Sequence, residues 1–452
     1  MKISKYLQII QEKNGSLCFN SLMGNLFFLE PLYMNTLKSF HSPRELTEKE
    51  KESSIVSELI EAHYLIKNDL EERNILKKRN KKWIKSVVGG RRVFLLNLIV
   101  SEICNIACPH CLHKCSVNTN LSHGNKKLMD WPTAEESINL FTNLMAKWKR
   151  KDYTVSFGSA EPLINWRVLK KSVIYLKKIN PDIKITINTN LLLIDNEKAK
   201  FFKENNVYLS TSLDGPKKGN DLIRIYANKK GTYGDILNKF KLLAKIGYPL
   251  DGFSITINDK NFNYVDANFI KWASNQGFKG IATDIDLINT LNSSRSVDDY
   301  VDKLMELRKA CLESGMENFG SWTTAYHNLV NGCEDNMPTF CKAAKGNNVS
   351  INPEGNIFIC GHTNTLLGNI KYFEKTFYPK SPYCDLIEKR LPGNNQNCFS
   401  CYIEGICAGQ CQITREAAKR TKNKRDLFLC NFYRAATFKL FKEKLRAELI
   451  NN

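Results

Sequence analysis

Two separate blocks of closely spaced cysteines constrain this chain more than any other feature of its sequence. The first block reads C-x3-C-x2-C within CNIACPHC and contains Cys104, Cys108 and Cys111. The second block, near the C-terminus, reads C-x13-G-x4-C, then C-x2-C-x5-C-x3-C, then one more cysteine, which gives Cys341, Cys360, Cys398, Cys401, Cys407, Cys411 and Cys430. Thiolates are strong ligands for zinc and for iron–sulfur clusters. The spacing therefore predicts metal centres.

The composition is that of a soluble globular protein with room for two or three domains. The chain has 452 residues, of which 42% are hydrophobic and 25% are charged. Its apolar runs, such as VFLLNLIV, have the length of a strand and not of a membrane span. The N-terminus lacks the apolar core and cleavage site of a secretory signal. We therefore expect a cytoplasmic protein without membrane association, whose 15 cysteines serve metal binding more than disulfides.

The net charge of +20 favours an acidic partner. Nucleic acid and an acidic leader peptide are two candidates, and a merely solvated basic surface is a third explanation. The basic residues concentrate in two runs, LKKRNKKWIK at 76–85 and REAAKRTKNKR at 415–425. Charge runs alone do not identify a partner, so all three explanations stay open at this point.

A strand–loop–helix pattern repeats six times in the middle of the chain. The predicted strands are 93–100, 153–157, 183–188, 207–213, 252–258 and 280–285, and the last helix spans about 297–314. One helix is expected to open with Thr133 as N-cap and Glu136 completing a capping box. Alternating units of this kind favour parallel strands joined by crossover helices. Six of them predict a partial barrel, with catalytic groups at the carboxyl ends of the strands. The first cysteine block falls at such an end.

The two cysteine blocks, in this order, resemble the signatures of radical S-adenosylmethionine (SAM) enzymes that carry a C-terminal SPASM domain. Members of this family modify peptides and proteins. The resemblance implies an α/β fold in three parts: a winged-helix-like peptide-recognition domain at 1–92, a partial (β/α)6 radical SAM barrel at 93–315, and a SPASM domain with two auxiliary iron–sulfur clusters at 316–452. It covers residues 93–435 strongly and the N-terminal part loosely.

The first block would hold three corners of a [4Fe–4S] cluster. By resemblance, the fourth iron would be chelated by the amino and carboxylate groups of SAM. One electron would then cleave SAM and release a 5′-deoxyadenosyl radical, which removes a hydrogen atom from an unactivated carbon. The alternative is a zinc site. Zinc usually binds four ligands, and Cys115 could be the fourth beside the three cysteines of the first block.

The resemblance also carries over to seven expected SAM contacts, which are His110, Ser159, Ala160, Glu161, Asn190, Ser212 and Arg224. In FGSAEPL, Ser159 and Ala160 stand where the family pattern has two glycines, and in TINTNL Leu191 replaces a glycine. The departure at Ser159 and Ala160 puts the backbone geometry of that loop in doubt. Arg224 is expected to pair with the SAM carboxylate, the alternative being an ordinary surface residue. No catalytic residue is assigned.

The second block resembles the SPASM pattern as a whole. By resemblance, one auxiliary [4Fe–4S] cluster would be fully ligated by Cys398, Cys401, Cys407 and Cys430. A second cluster, nearer the active site, would be held by Cys341, Cys360 and Cys411. With the first block, this implies three clusters. A zinc ribbon is the alternative for C-x2-C-x5-C-x3-C, but it does not explain all seven cysteines.

One ligand of the second cluster is missing from the pattern. Sulfatase-maturating relatives have a further cysteine six residues after the first SPASM cysteine, where this chain has Asn347. The cluster would then keep an open iron, to which a substrate thiolate could bind. Alternatively, Cys333 or Cys384 closes the site.

The N-terminal 92 residues are expected to form a small separate domain. Residues 16–30 alternate like a hairpin with a turn near Gly24, and charged helical sequence follows from about Pro43. This arrangement resembles the winged-helix-like domains of peptide maturases, which add a leader peptide as a strand to a sheet edge. The alternative is a packing domain with no recognition role.

We therefore expect a cytoplasmic SAM-dependent oxidoreductase that modifies a ribosomally made precursor peptide. The bond formed would be a thioether, or a carbon–carbon or carbon–oxygen crosslink. A reducing partner such as flavodoxin or ferredoxin is implied, and nucleic acid is not. The alternatives are a sulfatase-maturase-like enzyme that makes formylglycine, a peptide epimerase, or, outside enzymes, a zinc-stabilised nucleic-acid-binding protein.

Overall fold

A computed structural model describes residues 1–12, 15–23, 25–112, 127–287, 289–290, 293–330, 340–399, 401–407, 409–421 and 425–451. The expected turn residue Gly24 and the possible ligands Cys115 and Cys333 lie outside these ranges. The strands are β1 Lys2–Ile3, β2 Leu7–Glu12, β3 Gly15–Asn20, β4 Asn25–Leu29, β5 Leu65–Ile66, β6 Leu95–Leu98, β7 Thr154–Phe157, β8 Lys184–Asn188, β9 Val207–Ser210, β10 Gly252–Ile257, β11 Gly280–Ile285, β12 Glu317–Phe319, β13 Asn348–Ile351, β14 Asn356–Phe358 and β15 Gly368–Asn369.

Helices cover the outer faces of these strands. They are α1 Pro31–Lys38, α2 Glu48–Lys51, α3 Ser54–Glu61, α4 Asp69–Val87, α5 Trp131–Lys147, α6 Trp166–Ile179, α7 Asn196–Glu204, α8 Lys217–Ile223, α9 Tyr233–Lys245, α10 Ala267–Asn275, α11 Val297–Glu313, α12 Thr324–Val330, α13 Pro382–Glu388, α14 Glu404–Cys407, α15 Gln412–Thr421 and α16 Arg425–Asn451. Short 3-10 turns lie at Val88–Gly90, Pro162–Asn165, Ser321–Thr323, Ile370–Phe377 and Gln396–Cys398. In the described part of the chain, no helix is long and apolar enough to span a membrane.

The central strands run parallel, as the sequence predicts. β6, β7, β8 and β9 pair in order, and β10 pairs with β11. A parallel bridge between Ser212 and Ser254 joins the two groups. Each of the six predicted strands is present within a few residues of its expected bounds. Their inward residues, such as Val155, Phe157 and Ile185, are completely buried, which is what strands covered on both faces require.

The C-terminal region extends the same sheet beyond its first strand. β13 pairs in parallel with β6, so that Asn348 lies opposite Leu95 and Ile351 opposite Leu98. β14 and β15 follow in antiparallel order. The barrel sheet and the cysteine-rich region are therefore one continuous sheet, in which β6 is an inner strand.

The N-terminal sheet of β2, β3 and β4 is antiparallel, which confirms the predicted hairpin. Its two faces have different neighbours, because side chains alternate along a strand. Cys18 packs on α1 and α3 in a small local core, whereas Leu17 and Phe19 belong to the main core of the protein. The Phe19 ring lies 4.6 Å from that of Phe441 in α16. Residues 1–92 therefore share a core with the rest of the chain.

The expected capping box at Thr133 is wrong. The helix α5 begins at Trp131, and its N-cap is Asp130, whose side chain accepts a hydrogen bond from the Thr133 backbone N–H. Pro132 explains the difference, because proline fits the first turn of a helix, where its missing N–H is not needed. The Asp130 side chain then takes the capping role that the pattern assigns to Thr133.

Candidate functional site

A cavity of about 330 Å³ lies at the carboxyl ends of the parallel strands. All three cysteines of the first block, Cys104, Cys108 and Cys111, line it; we call them the N-terminal triad. They follow β6 on a loop that the barrel holds in place, since the Glu161 backbone N–H donates to the Ile103 carbonyl and that of Ala107 to Ile225. Burial raises the pKa of Cys108 to about 11 and also raises that of Cys104. The thiols of Cys104 and Cys108 will therefore ionise readily only when a metal centre binds them.

All seven predicted SAM contacts line the same cavity, and these are His110, Ser159, Ala160, Glu161, Asn190, Ser212 and Arg224. They come from four different strand ends, as expected for a parallel barrel. Asn190 also approaches the triad, since its Nδ2 lies 3.7 Å from the Cys104 Sγ. The structure thus brings the predicted residues together, while their contacts with SAM remain predictions.

Both loops that lack the family's glycines keep a glycine-like backbone. Ser159 has φ +106° and Leu191 has φ +66°, both in the left-handed region that side chains normally avoid. The Ser159 hydroxyl donates to the Gly361 carbonyl at 2.6 Å, and Leu191 is completely buried. A hydrogen bond in one case and core packing in the other offset the strain.

Glu161 ties the loops of the cavity together. Its carboxylate accepts hydrogen bonds from the Leu163 and Asn190 backbone N–H groups and from the Thr189 hydroxyl, at 2.7 to 3.1 Å. Burial raises its pKa to about 7. A further donor, such as the amino group of a ligand, would favour the ionised form.

Arg224 is buried and already paired. Its Nε and Nη2 atoms lie 2.9 and 2.8 Å from the Asp214 Oδ2 atom, and the His110 Nε2 atom is 3.4 Å from the same oxygen. Asp214 in turn accepts from the Thr256 backbone N–H. The alternative of a surface residue is therefore wrong. The resemblance predicts that Arg224 pairs with the SAM carboxylate. In the structure Asp214 already compensates the charge of Arg224, so this arginine does not need a second anion.

Asp284 is the main cavity residue that the sequence reasoning missed. It lies near the carboxyl end of β11, and Ser321 donates to it from both its backbone N–H, at 2.8 Å, and its hydroxyl, at 2.5 Å. The Tyr433 hydroxyl lies 3.2 Å from the Ser321 hydroxyl. Burial raises the pKa of Asp284 to about 6. The acidic pair in TDID, at the end of a predicted strand, is the signal that could have identified it.

The C-terminal cysteines form two groups. Burial, with contributions from Cys341 and Cys360, raises the pKa of Cys411 to about 12; we call these three the inner set. Burial likewise raises the pKa of Cys407 to about 12, with contributions from Cys430, Cys401 and Cys398; these four are the outer set. Charged groups interact mainly at short range, so Cys411 lies near Cys341 and Cys360, and Cys407 lies near Cys430. The resemblance predicts the same two groups. Ligation itself remains a prediction.

The inner set adjoins the main cavity. Gly361 and His362 directly follow Cys360; the Gly361 carbonyl accepts the Ser159 hydrogen bond, and His362 lines the cavity. The three inner thiols line a smaller cavity of their own. Among the described residues, no group of three or more His, Cys, Asp or Glu side chains converges on a single ion position. The ligands of a [4Fe–4S] cube bind different iron corners, so they need not meet at one point.

The described residues around the inner set do not provide a fourth thiol ligand. Asn347 is buried but does not line the inner cavity; its carbonyl accepts from the Phe94 and Leu95 backbone N–H groups. Cys384 lies on α13, and its Sγ contacts the Phe377 carbonyl in the apolar core. Cys333, the other candidate, lies outside the described residues.

The comparisons with known proteins agree with this site. Residues 98–273 match the model of the Radical SAM superfamily. The chain therefore contains a radical SAM domain and is an enzyme, which confirms the expected resemblance and sets aside the zinc-stabilised nucleic-acid-binding alternative.

The relatives of this chain include proteins that are enzymes by name. The chain is 24% identical to the radical SAM cyclopropyl synthase TigE of Paramaledivibacter caminithermalis, over 90% of this chain and 89% of that protein. It is 28% identical to a cysteine-type anaerobic sulfatase-maturating enzyme of Clostridium novyi, over 44% and 52%. The structure of anSMEcpe with bound AdoMet superposes with a TM-score of 0.60 at 19% identity, over 79% of this chain and 98% of that one. This last similarity confirms the α/β partial-barrel fold.

The residues present fit a cluster and SAM. The cavity combines thiols, amides, hydroxyls and a carboxylate with apolar walls, and its volume is within the range of small-molecule sites. In the outer set, the Asn395 Nδ2 atom lies 2.9 Å from the Cys398 Sγ, and the Gln410 Nε2 atom lies 2.7 Å from the Cys430 Sγ. Such N–H groups are the usual donors to cluster sulfurs.

Ser159 provides a test of the strained loop. Ser159→Ala removes the hydrogen bond to the Gly361 carbonyl and keeps the left-handed backbone, so we expect it to destabilise the protein by about 1 kcal/mol. Ser159→Gly loses the same bond but relieves the strain, and should remain close to the wild type. Thermal unfolding of the three proteins at one scan rate measures this. Equal losses in both variants would mean that the backbone at this position is not strained.

Proposed function

We propose that this enzyme uses SAM and three [4Fe–4S] clusters to form a new bond at an unactivated carbon of a ribosomally made peptide. The observation that supports this most directly is that the N-terminal triad, the predicted SAM contacts and the carboxyl of Asp284 share one cavity, with the inner set beside it. Bound there, the cluster and SAM supply one-electron cleavage of SAM and removal of a substrate hydrogen atom.

The protein's own residues would orient the reactants. Glu161 and Asn190 fix the loops around the triad, and Ser159 joins these loops to the segment that follows Cys360. Joining two substrate atoms removes a second hydrogen as a proton and an electron. The electron would pass to the cluster held by the inner set, and the proton needs a separate acceptor. Asp284, with a pKa raised to about 6 by burial, can accept a proton near neutral pH. We therefore infer that it serves as the base.

Carbon–carbon bond formation is the favoured reaction, and thioether formation is the second candidate. A relative that spans 90% of the chain is a cyclopropyl synthase by name, and a cyclopropane closes through a carbon–carbon bond. The thioether reaction rests on the three-cysteine inner set, which could bind a substrate thiolate. The sulfatase-maturating relative matches only 44% of the chain, so a formylglycine-generating activity has less support.

A groove on the N-terminal sheet is the proposed site for the leader peptide. It has a volume of about 560 Å³ and lies between β4 and α3. β4 is an edge strand that, in the described part of the chain, pairs with β3 alone. Phe27 is half exposed there, and Tyr33 and Tyr64 also line the groove. An added strand on this edge would place its alternate side chains against the aromatic rings.

The charge of this groove is opposite to that of the whole protein. Of the described residues that line it, Glu30, Glu58 and Glu61 are acidic and none is Lys or Arg. An acidic leader, one of the partners suggested by the net charge, would be repelled here. We therefore infer that the bound segment carries apolar side chains and at least one Lys or Arg. A reducing partner such as flavodoxin or ferredoxin, and a cytoplasmic location, remain part of the proposal.

Cluster content tests the assignment of the cysteines. Anaerobically reconstituted protein should hold about 12 iron atoms, that is, three [4Fe–4S] clusters. Replacing the N-terminal triad with alanine should remove about a third of this iron and abolish SAM cleavage. Cys311→Ala, a change at a buried cysteine outside all three sets, should alter neither. Stoichiometric zinc without iron would contradict the proposal.

Asp284→Asn should stabilise the protein above pH 6 and abolish peptide modification. The raised pKa means that the folded protein holds this proton more tightly than the unfolded chain, so stability falls as the pH rises from about 4 to about 6. Above that range, ionisation of the buried carboxyl costs roughly 3 kcal/mol. At pH 8 the variant should therefore unfold at a higher temperature than the wild type. Peptide modification should be lost while uncoupled SAM cleavage continues.

The wild-type rate of peptide modification should rise as the pH increases through about 6, where Asp284 loses its proton. The matched control is Ser321→Ala, which keeps the carboxyl and removes one donor; it should retain activity with a higher apparent pKa. An Asp284→Asn enzyme that still modifies the peptide at the wild-type rate would refute the assigned role.

Charge reversal tests the leader groove without deleting residues 1–92, whose sheet shares the main core. Glu58→Lys and Glu61→Lys should each weaken binding of a leader that contains Lys or Arg by about fivefold, because one exposed pair contributes up to about 1 kcal/mol. Glu52→Lys, an exposed change outside the groove, is the control. Fluorescence anisotropy of a labelled leader measures the affinity. Tighter binding in the two groove variants would show that the leader is acidic.

A further inference from the structure

A buried arginine lies among the C-terminal cysteines. Arg390 follows helix α13 and is only 3% exposed. It lines the same small cavity as all three cysteines of the inner set, Cys341, Cys360 and Cys411. A guanidinium is seldom buried this deeply unless it is paired or hydrogen-bonded, because its charge is costly to remove from water. The position of Arg390 therefore needs an explanation from its surroundings.

Among the described residues, two of the three nitrogens of the Arg390 guanidinium have acceptors, and both acceptors are uncharged. Its Nη1 donates to the Gln412 Oε1 atom at 2.9 Å, and its Nη2 donates to the Gln410 carbonyl. The buried Nε donor has no acceptor among the described residues. Both partners are neutral amide oxygens, so neither compensates the positive charge. A buried, unsatisfied donor beside three thiols points to an acceptor that occupies the cavity between them.

The arginine also connects the inner set to the outer set. Gln410, whose carbonyl it holds, has a left-handed backbone with φ +66°. The Gln410 backbone N–H lies 3.3 Å from the Cys407 Sγ, and its side chain reaches the Cys430 Sγ. Cys411, the next residue, belongs to the inner set. Arg390 thus fixes the short segment that supplies one cysteine to each set.

Electrostatics agrees with this arrangement. Burial lowers the pKa of Arg390, and the nearby Arg415 lowers it further, whereas Cys341, Cys411 and Cys407 raise it. Arginine nevertheless keeps its proton in proteins. The stabilising charges available to it are therefore those of thiolates and of the cluster that they bind.

We propose that Arg390 is a positioning residue that donates from Nε to the cluster bound by the inner set and makes that cluster easier to reduce. This inference rests on the auxiliary clusters of the proposed function. Reduction adds one electron and hence one negative charge to the cluster, and a fixed cation in a dry environment stabilises that charge. Hydrogen bonds to the sulfurs and local charge are two of the factors by which proteins set cluster potentials. The Arg390 charge itself does not change.

The test is a potentiometric titration of the auxiliary clusters, in which electron paramagnetic resonance monitors their reduction. Replacing the N-terminal triad with alanine removes the overlapping first cluster, and the further change Cys360→Ala identifies the inner signal. In the triad-free background, Arg390→Met and Arg390→Gln should shift the inner midpoint to a more negative potential. Arg390→Lys should lie between these variants and the wild type, because it keeps the charge but not the fixed Nε donor. Arg73→Met, on the exposed face of α4, should change nothing.

The inference would be overturned if the variants keep all their iron and the midpoint potential of the inner cluster does not change. If Arg390→Met and Arg390→Gln lose the iron of the inner cluster, Arg390→Lys is the deciding variant. A midpoint potential more negative than that of the wild type supports the inference, and an unchanged one refutes it. Failure of the proposed function is a different result. In that case the wild-type protein itself would lack the auxiliary iron, whatever residue occupies position 390.

Discussion

The parallel pairing of β6 with β13 is the contact on which the rest of the molecule depends. It joins Leu95–Leu98 to Asn348–Ile351, two segments about 250 residues apart, and so places the cysteine-rich region at the open side of the barrel. The Ser159 hydroxyl then reaches the Gly361 carbonyl, and an added Cβ at Gly361 would collide with Asn97. The absence of a side chain at Gly361 thus lets the segment after Cys360 lie against β6. The segment after Cys360 therefore reaches the border of the main cavity, which His362 lines.

Much of the fold could be predicted from the sequence, because the relevant signals are local. The six strands show the apolar runs that parallel strands need, and the cysteine spacings predict metal centres. The division of the C-terminal cysteines into two sets comes from the family resemblance, because spacing alone does not assign Cys411 and Cys430. The pairing of β13 with β6 could not be predicted, since nothing near either strand specifies a partner so distant. Two further features depend on context: the cap at Asp130 in place of Thr133, and the left-handed backbone at Ser159. Pro132 in the first turn decides the cap, and the hydrogen bond to the Gly361 carbonyl supports the backbone of Ser159.

The net charge of the protein and the local charge of the leader groove favour partners of opposite sign. A charge of +20 describes the field of the whole molecule at long range, where it affects solubility and encounter rates. Recognition depends on groups within a few ångströms, because salt screens exposed charges over about 8 Å at physiological ionic strength. Glu58 and Glu61 can therefore select a basic segment although the protein as a whole is strongly basic.

The segment from Cys407 to Cys411 shows how a short motif can serve two sites. Three residues separate these cysteines, and a helical backbone would place both thiols side by side in one group. Gln410 instead has φ +66°, which turns the chain so that Cys407 joins the outer set and Cys411 the inner set. Left-handed conformation is costly for a residue with a side chain. The hydrogen bonds of Gln410 to Arg390 and to the cysteine sulfurs offset this cost, so the division of the motif depends on the same buried arginine.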